Sequence, residues 1–131
     1  MAVVYPTVDD ILEAHDKVIR DSGGATGVRS EDGVEAALDR MQQQLFGDDA
    51  YPTLAGKAAA FFQTLIQRHP FVDGNKRTAV RAVYAFLRVN GRELVATQDE
   101  IVELARKTAA GKWDADDLTE WFGEHTEPAD E

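Results

Sequence analysis

His69-Pro70-Phe71-Val72-Asp73-Gly74-Asn75-Lys76-Arg77-Thr78 separates the two most apolar helical patterns of the chain, and its reading arranges the rest. The residue before a proline is pushed out of the right-handed helical region, so one helix ends at His69-Pro70. Asn75 is a good N-cap, so another helix begins there, with Lys76 and Arg77 in its first two positions. Upstream, Leu54, Ala58, Phe61, Phe62, Leu65 and Ile66 recur at helical spacing in a stripe broad enough to mark a central helix. Downstream, Val80, Val83, Tyr84 and Leu87 form the expected inward face of a helix that stops at Asn90-Gly91, a left-handed cap signal.

The pattern continues outward in both directions. Thr7 with Asp10 opens a helix whose buried stripe is Val8, Ile11, Leu12, His15, Val18 and Ile19, so His15 reads as a satisfied core histidine. Gly23-Gly24-Ala25-Thr26-Gly27 follows. No strand precedes it and no Lys-Ser/Thr pair opens the next helix, so it reads as an ordinary connector rather than a phosphate loop. Ser30 caps a helix running to about Leu45, with Val34, Ala37, Leu38, Met41 and Leu45 inward. Phe46 to Pro52 cannot continue it and forms either a short flap with an exposed backbone edge or a simple turn. Thr97 with Glu100 is a capping box for a fifth helix with Ile101, Val102, Leu104 and Ala105 inward. Asp114 caps a last short helix bearing Leu118, Trp121 and Phe122. With no convincing alternating run, the expectation is an all-α, compact bundle of about six helices with a short flap loop. It is expected to be one domain over residues 1–131, with 1–6 a lead-in and the acidic residues 125–131 a frayed tail. The helices after Leu94 either pack simply or help form a groove for a partner.

Bulk composition narrows the function. The chain has 131 residues, enough for one real core but too few for a two-lobed kinase or a doubly wound nucleotide-binding sheet. No apolar run approaches a membrane span, no leader is visible, and the absence of cysteine excludes thiol chemistry and thiolate metal sites. The expectation is a cytoplasmic protein that does not touch membrane. A net charge of −10 argues against direct nucleic-acid binding, which draws on Lys and Arg. Acidity is concentrated late: from Leu94 onward there are 11 acidic and 3 basic residues. Between Arg68 and Arg81 the balance reverses, with four Lys or Arg against one Asp.

That basic spot sits where cations should be disfavoured. The start of a helix is the positive end of its dipole, and each charge there costs a few tenths to about 1 kcal/mol. A bound anion reverses the sign, since free amides flanked by two cations make a phosphate site. Gly74 lets the backbone approach such an anion and adopt a nest geometry. His69 stands just ahead with an intrinsic pKa suited to a general base, and Asp73 offers oxygen ligands for Mg2+. Phe71 between them is a candidate buried anchor of the loop. Base, metal ligand, nest and cations are the parts that phosphoryl or nucleotidyl transfer needs, because catalysis there is mostly positioning and charge neutralisation.

The same stretch closely resembles the signature of the Fic/Doc family, in particular its death-on-curing branch, the toxins of prophage-type toxin–antitoxin pairs. The resemblance runs from about Thr7 to Gly91 and includes Gly27-Val28-Arg29, Tyr51-Pro52-Thr53 and Phe86 to Gly91. It implies an all-helical fold that binds ATP with Mg2+ and docks a target polypeptide on a short flap. It implies His69 as general base, Phe71 as loop anchor, Asp73 as magnesium ligand, Gly74 and Asn75 as the anion hole, and Lys76 and Arg77 as phosphate contacts. The AMP-transferring branch has glycine where Lys76 stands and a second arginine where Val80 stands. Arg81 comes one position late, about 100° around the helix, and does not inherit that role. These departures are those of the death-on-curing branch, where the γ-phosphate rather than AMP is transferred. The implied activity is therefore an ATP-dependent Ser/Thr phosphotransferase, with elongation factor Tu as the implied target. Two alternatives stand beside it: AMP transfer by the same His69, and a catalytically silent nucleotide- or partner-binding module. The family's restraint device is Ser/Thr-x-x-x-Glu-Gly/Asn, and no Ser or Thr in this chain is followed four residues later by Glu. The expected inhibitor is an antitoxin acting in trans.

Overall fold

A computed structural model describes residues 2–130; Met1 and Glu131, the extremes of the expected lead-in and tail, lie outside the described residues. Six helices account for most of it: α1 (Val8–Ser22), α2 (Glu31–Met41), α3 (Leu54–Arg68), α4 (Asn75–Val89), α5 (Gln98–Ala109) and α6 (Ala115–Glu124). Two small antiparallel pairs complete it, β1 (Gln44–Leu45) with β2 (Asp48–Asp49), and β3 (Arg92–Leu94) with β4 (Thr126–Pro128).

Most helix starts are local events. Thr7, Thr97 and Asp114 each close a reciprocal capping box with the acid three residues on, and the Thr53 hydroxyl accepts from Gly56 N–H. Ser30 precedes α2 without a side-chain cap. α3 is the central helix. Every residue from Gly56 to Ile66 is buried, which fits a helix enclosed on all sides by α2, α4, α5 and α6. α1 lies across α4, and the lead-in follows it down, with Asn90 bracketing Val4 N–H and C=O at 2.8 and 2.9 Å. No described helix is long and apolar enough to cross a membrane.

Three expectations need correction, and one alternative left open is decided. α2 ends at Met41, not Leu45, because the chain turns into the β1–β2 hairpin, and Leu45 is exposed there. Phe46 and Gly47 both take positive φ (54° and 87°), the primed-turn geometry that matches strand twist, so the ambiguous segment is a flap. On α4 the buried face is Ala79, Ala82, Val83, Phe86 and Leu87, whereas Tyr84 is exposed; on α5, Val102 is likewise exposed. Both side chains line a groove that no described element covers. Finally, the tail does not fray over Thr126–Pro128. It pairs with Arg92–Leu94, and Ala129 N–H adds a bond to Gly91 C=O at 3.0 Å.

α6 closes one side of α3, with Phe62 and Phe122 meeting edge to face at 5.7 Å. Asp114→Ala removes the cap of this ten-residue helix and is expected to cost about 1 kcal/mol in urea unfolding at unchanged m-value.

Candidate active site

The sequence from His69 to Arg77 forms one cleft at the junction of α3 and α4. His69 is the C-cap of α3 in the left-handed region (φ 53°, ψ 54°), because Pro70 bars a further helical residue. Phe71 is 1% exposed, and its ring lies on that of His15 at 3.9 Å and 6°. Burying this residue strands its backbone polar groups, and Asn75 answers both: Phe71 N–H donates to Oδ1 and Nδ2 donates to Phe71 C=O, each at 2.9 Å. The same Nδ2 lies 3.2 Å from His69 Nδ1, a long contact that orients the exposed ring.

This use of Asn75 changes the expected frame of α4. Gly74, left-handed at φ 76°, is the N-cap, Asn75 is the first helical residue, and Lys76 and Arg77 are second and third. Asn75 cannot cap because its side chain is committed to the loop. The electrostatic argument keeps its sign, since the first amides of α4 still lack helical acceptors and both cations still stand in its first turn. A Cβ on Gly74 would come 3.2 Å from Ile19 Cδ1, so the left-handed backbone and the close approach of α1 both call for glycine.

Asp73 is held from three directions. Its backbone carbonyl accepts from His15 Nε2 at 2.8 Å, Oδ1 accepts from Gly74 N–H at 2.8 Å, and Oδ2 accepts from Ala25 N–H at 3.1 Å. The Ala25 and Gly74 amides hold its carboxyl below the usual aspartate range, with the Arg77 guanidinium 4.0 Å away adding to them. The carboxylate therefore stays ionised while roughly half exposed to a ligand. His69, Val72, Asp73, Gly74, Asn75, Lys76 and Arg77 line a cleft of about 330 Å3. The structure thus brings together every predicted site residue except Phe71, which lies buried behind the others. Arg81 is absent from the lining and pairs instead with Asp21 at 3.3 Å.

The glycine segment after α1 is a neighbour of the site that the sequence reading missed. It wraps the site: Val28 bridges Phe71, Val72 N–H donates to Gly27 C=O at 3.1 Å, and Arg77 Nη1 donates to Gly23 C=O at 3.3 Å. Gly24 has φ 123°, and a Cβ there would stand 2.6 Å from Asp73 Oδ2. The connector packs against the loop and holds Asp73 without itself lining the cleft. Its paired glycines were the available signal, but Asp73 lies 48 residues beyond Ala25.

The model of the Fic/DOC family matches residues 5–87. The chain belongs to the Fic/DOC family. Among relatives, it is 42% identical over 98 residues to a protein of Mycolicibacterium smegmatis named Toxin Doc, covering 73% of this chain and 75% of that one. It is 29% identical over 104 residues to a protein of Escherichia phage P1 named Protein kinase doc, covering 79% and 81%. The family match runs from α1 into α4, so it takes in the glycine connector, the flap and the cleft.

Gly24→Ala is expected to displace the Asp73 carboxylate without unfolding the core. By carboxyl NMR, Asp73 in the parent should titrate below the usual aspartate range, and in the variant its midpoint should rise. Because the folded-state value is depressed, the stability it contributes is present at neutral pH and lost as pH falls through that folded value, so Asp73→Asn should flatten only the acid limb of a stability profile.

Proposed function

We propose that this chain is a toxin-type protein phosphotransferase that moves the γ-phosphate of ATP to a Ser or Thr hydroxyl of a target protein, with elongation factor Tu as that target, and so stops translation. The observation that carries the reading is the cleft itself, in which an exposed imidazole and an ionised carboxylate face a helix start bearing Lys76 and Arg77. An acidic protein has no structural need to gather cations at a positive helix end, and anionic phosphates supply one. The names of the phage P1 and Mycolicibacterium relatives support kinase and toxin respectively.

In this reading His69 accepts the proton of the target hydroxyl as its oxygen bonds to the γ-phosphorus. The bond from that phosphorus to the β–γ bridging oxygen breaks, and ADP leaves. Lys76, Arg77 and the first amides of α4 hold phosphate oxygens, which is where such catalysis resides. Magnesium bound with the nucleotide would neutralise charge on the phosphates. Asp73 would be the protein group that holds it, since its carboxylate is oriented by two amides and kept ionised by them. Val80 in place of a second arginine, and lysine rather than glycine at position 76, favour γ-phosphate over AMP transfer.

Restraint in trans also has a place in this reading. Between α1, α4 and α5 runs a groove of about 910 Å3, floored by Val80, Ile101 and Val102 and rimmed by Arg77, Arg81 and Arg106. An acidic amphipathic antitoxin segment suits that lining. Lys76 and Arg77 belong to both groove and cleft, so an occupant would engage the phosphate contacts directly.

ATP labelled on the α or the γ phosphorus, incubated with Mg2+ and elongation factor Tu, tests the reading. Transfer of γ label is expected, falling by about 10²–10⁴-fold in His69→Ala as befits a general base. Label from the α position would replace kinase with AMP transfer, and nucleotide binding with neither label would indicate a silent module. Lys76→Gly is expected to slow phosphoryl transfer at least about tenfold, by loss of a charge-assisted phosphate contact.

A further inference from the structure

Lys57 is the charged group that the proposed reaction does not use, and the fold buries it. Its side chain is 2% exposed, and it is the one fully buried lysine among the described residues. It stands in the first turn of α3, where an ammonium is opposed both by desolvation and by the positive end of the helix dipole. Its acceptors come from outside the helix: Nζ donates to Asp49 Oδ2 at 2.9 Å and to Tyr51 C=O at 2.5 Å. Lys57 in turn holds the Asp49 carboxyl below the usual range, and Gln44 Nε2 secures its other oxygen at 3.2 Å across the hairpin.

A second cation grips the same segment from the far side. Arg40, in the last turn of α2, donates to Tyr51 Oη at 3.0 Å, and its Nη1 reaches Gln63 and Thr64 of α3 at 2.6 and 3.1 Å. The rest of the hairpin is exposed, including Gln44, Leu45 and Asp48 of its strands and Phe46 at the tip. Two strands of two residues each cannot hold themselves in water, so the hairpin keeps its shape through its anchors.

We propose that Lys57 is a positioning residue that latches the β1–β2 flap to α3, so that the flap meets an extended segment of the target polypeptide with an ordered strand edge. The substrate half of this rests on the phosphotransferase reading above; the latch does not. Strand addition draws its affinity from main-chain bonds to a preformed edge, and an edge that must order on binding weakens the complex. α3 also carries His69 at its C-cap, so the latch fixes flap and base to one rigid body. Loosening it should raise KM for the polypeptide and leave the chemical step alone.

Two variants test it: Lys57→Met, close in volume and uncharged, and Asp49→Asn at an exposed position, which carries the test if the first does not fold. Native-state hydrogen exchange, with no substrate present, reads the Ala50 amide, which donates to Gln43 C=O at 2.8 Å across the hairpin base. We expect it to exchange at least about tenfold faster in both variants while the amides of Phe61 to Ile66 change less than about twofold. With elongation factor Tu, KM for the protein should rise about tenfold, with kcat and KM for ATP within about twofold. Unchanged exchange at Ala50, equal loss of protection throughout α3, or a fall in kcat at constant protein KM overturns the latch. If the parent protein leaves elongation factor Tu unmodified, that result counts against the function proposed above, and the exchange measurement still decides the latch.

Discussion

The side chain of Asn75 satisfies both backbone groups of the buried Phe71 and thereby holds the turn between α3 and α4 in one shape. Left without partners, those two groups would cost about 1–3 kcal/mol each, enough to expel the ring or reopen the loop. With them answered, the Phe71 ring stays under the loop against His15, and His69, Asp73, Lys76 and Arg77 are turned outward together. One amide thus places a histidine at the end of one helix beside the open amides that begin the next. The same commitment moves the cap to Gly74, which sits in the left-handed region.

Cations near the positive end of a helix occur twice in this chain, with opposite outcomes. On α3, Lys57 is buried and its partner is supplied by the flap, so the charge serves to hold structure. On α4, Lys76 and Arg77 remain exposed, and the only carboxylate facing them in the cleft, Asp73, already accepts from two amides. The first arrangement is complete in itself; the second leaves both charges open to solvent. That contrast separates a paired charge from an open one by geometry. A strongly acidic protein thus carries one local basic spot, since the field at a site is set by its nearest charges.

The parts legible in the sequence were those whose cause lies within a turn or two of chain. Three capping boxes, the stop at His69-Pro70, the left-handed Gly91 and the enclosed stripe of α3 each follow from neighbours three or four residues apart. That these side chains share one loop was legible for the same reason, because His69, Asp73, Gly74, Lys76 and Arg77 fall within nine residues. Even there one detail escaped: Asn75 has the right side chain for a cap, and nothing local reveals that Phe71 claims it first.

Sequence by itself therefore determined the helices, their order and the chemical content of the cleft, since these depend on spacing and on short-range hydrogen bonds. Only the tertiary structure decided which faces stay open and what closes around the site. Tyr84 and Val102 follow the apolar pattern yet face an uncovered groove, and Thr126–Pro128 found a strand at Arg92–Leu94. The glycine connector came to hold the loop because Ala25 N–H reached Asp73, and Lys57 was buried because the flap folded back over it. Each of these turns on where the chain returns after tens of residues, and no local pattern of polarity or propensity encodes that distance.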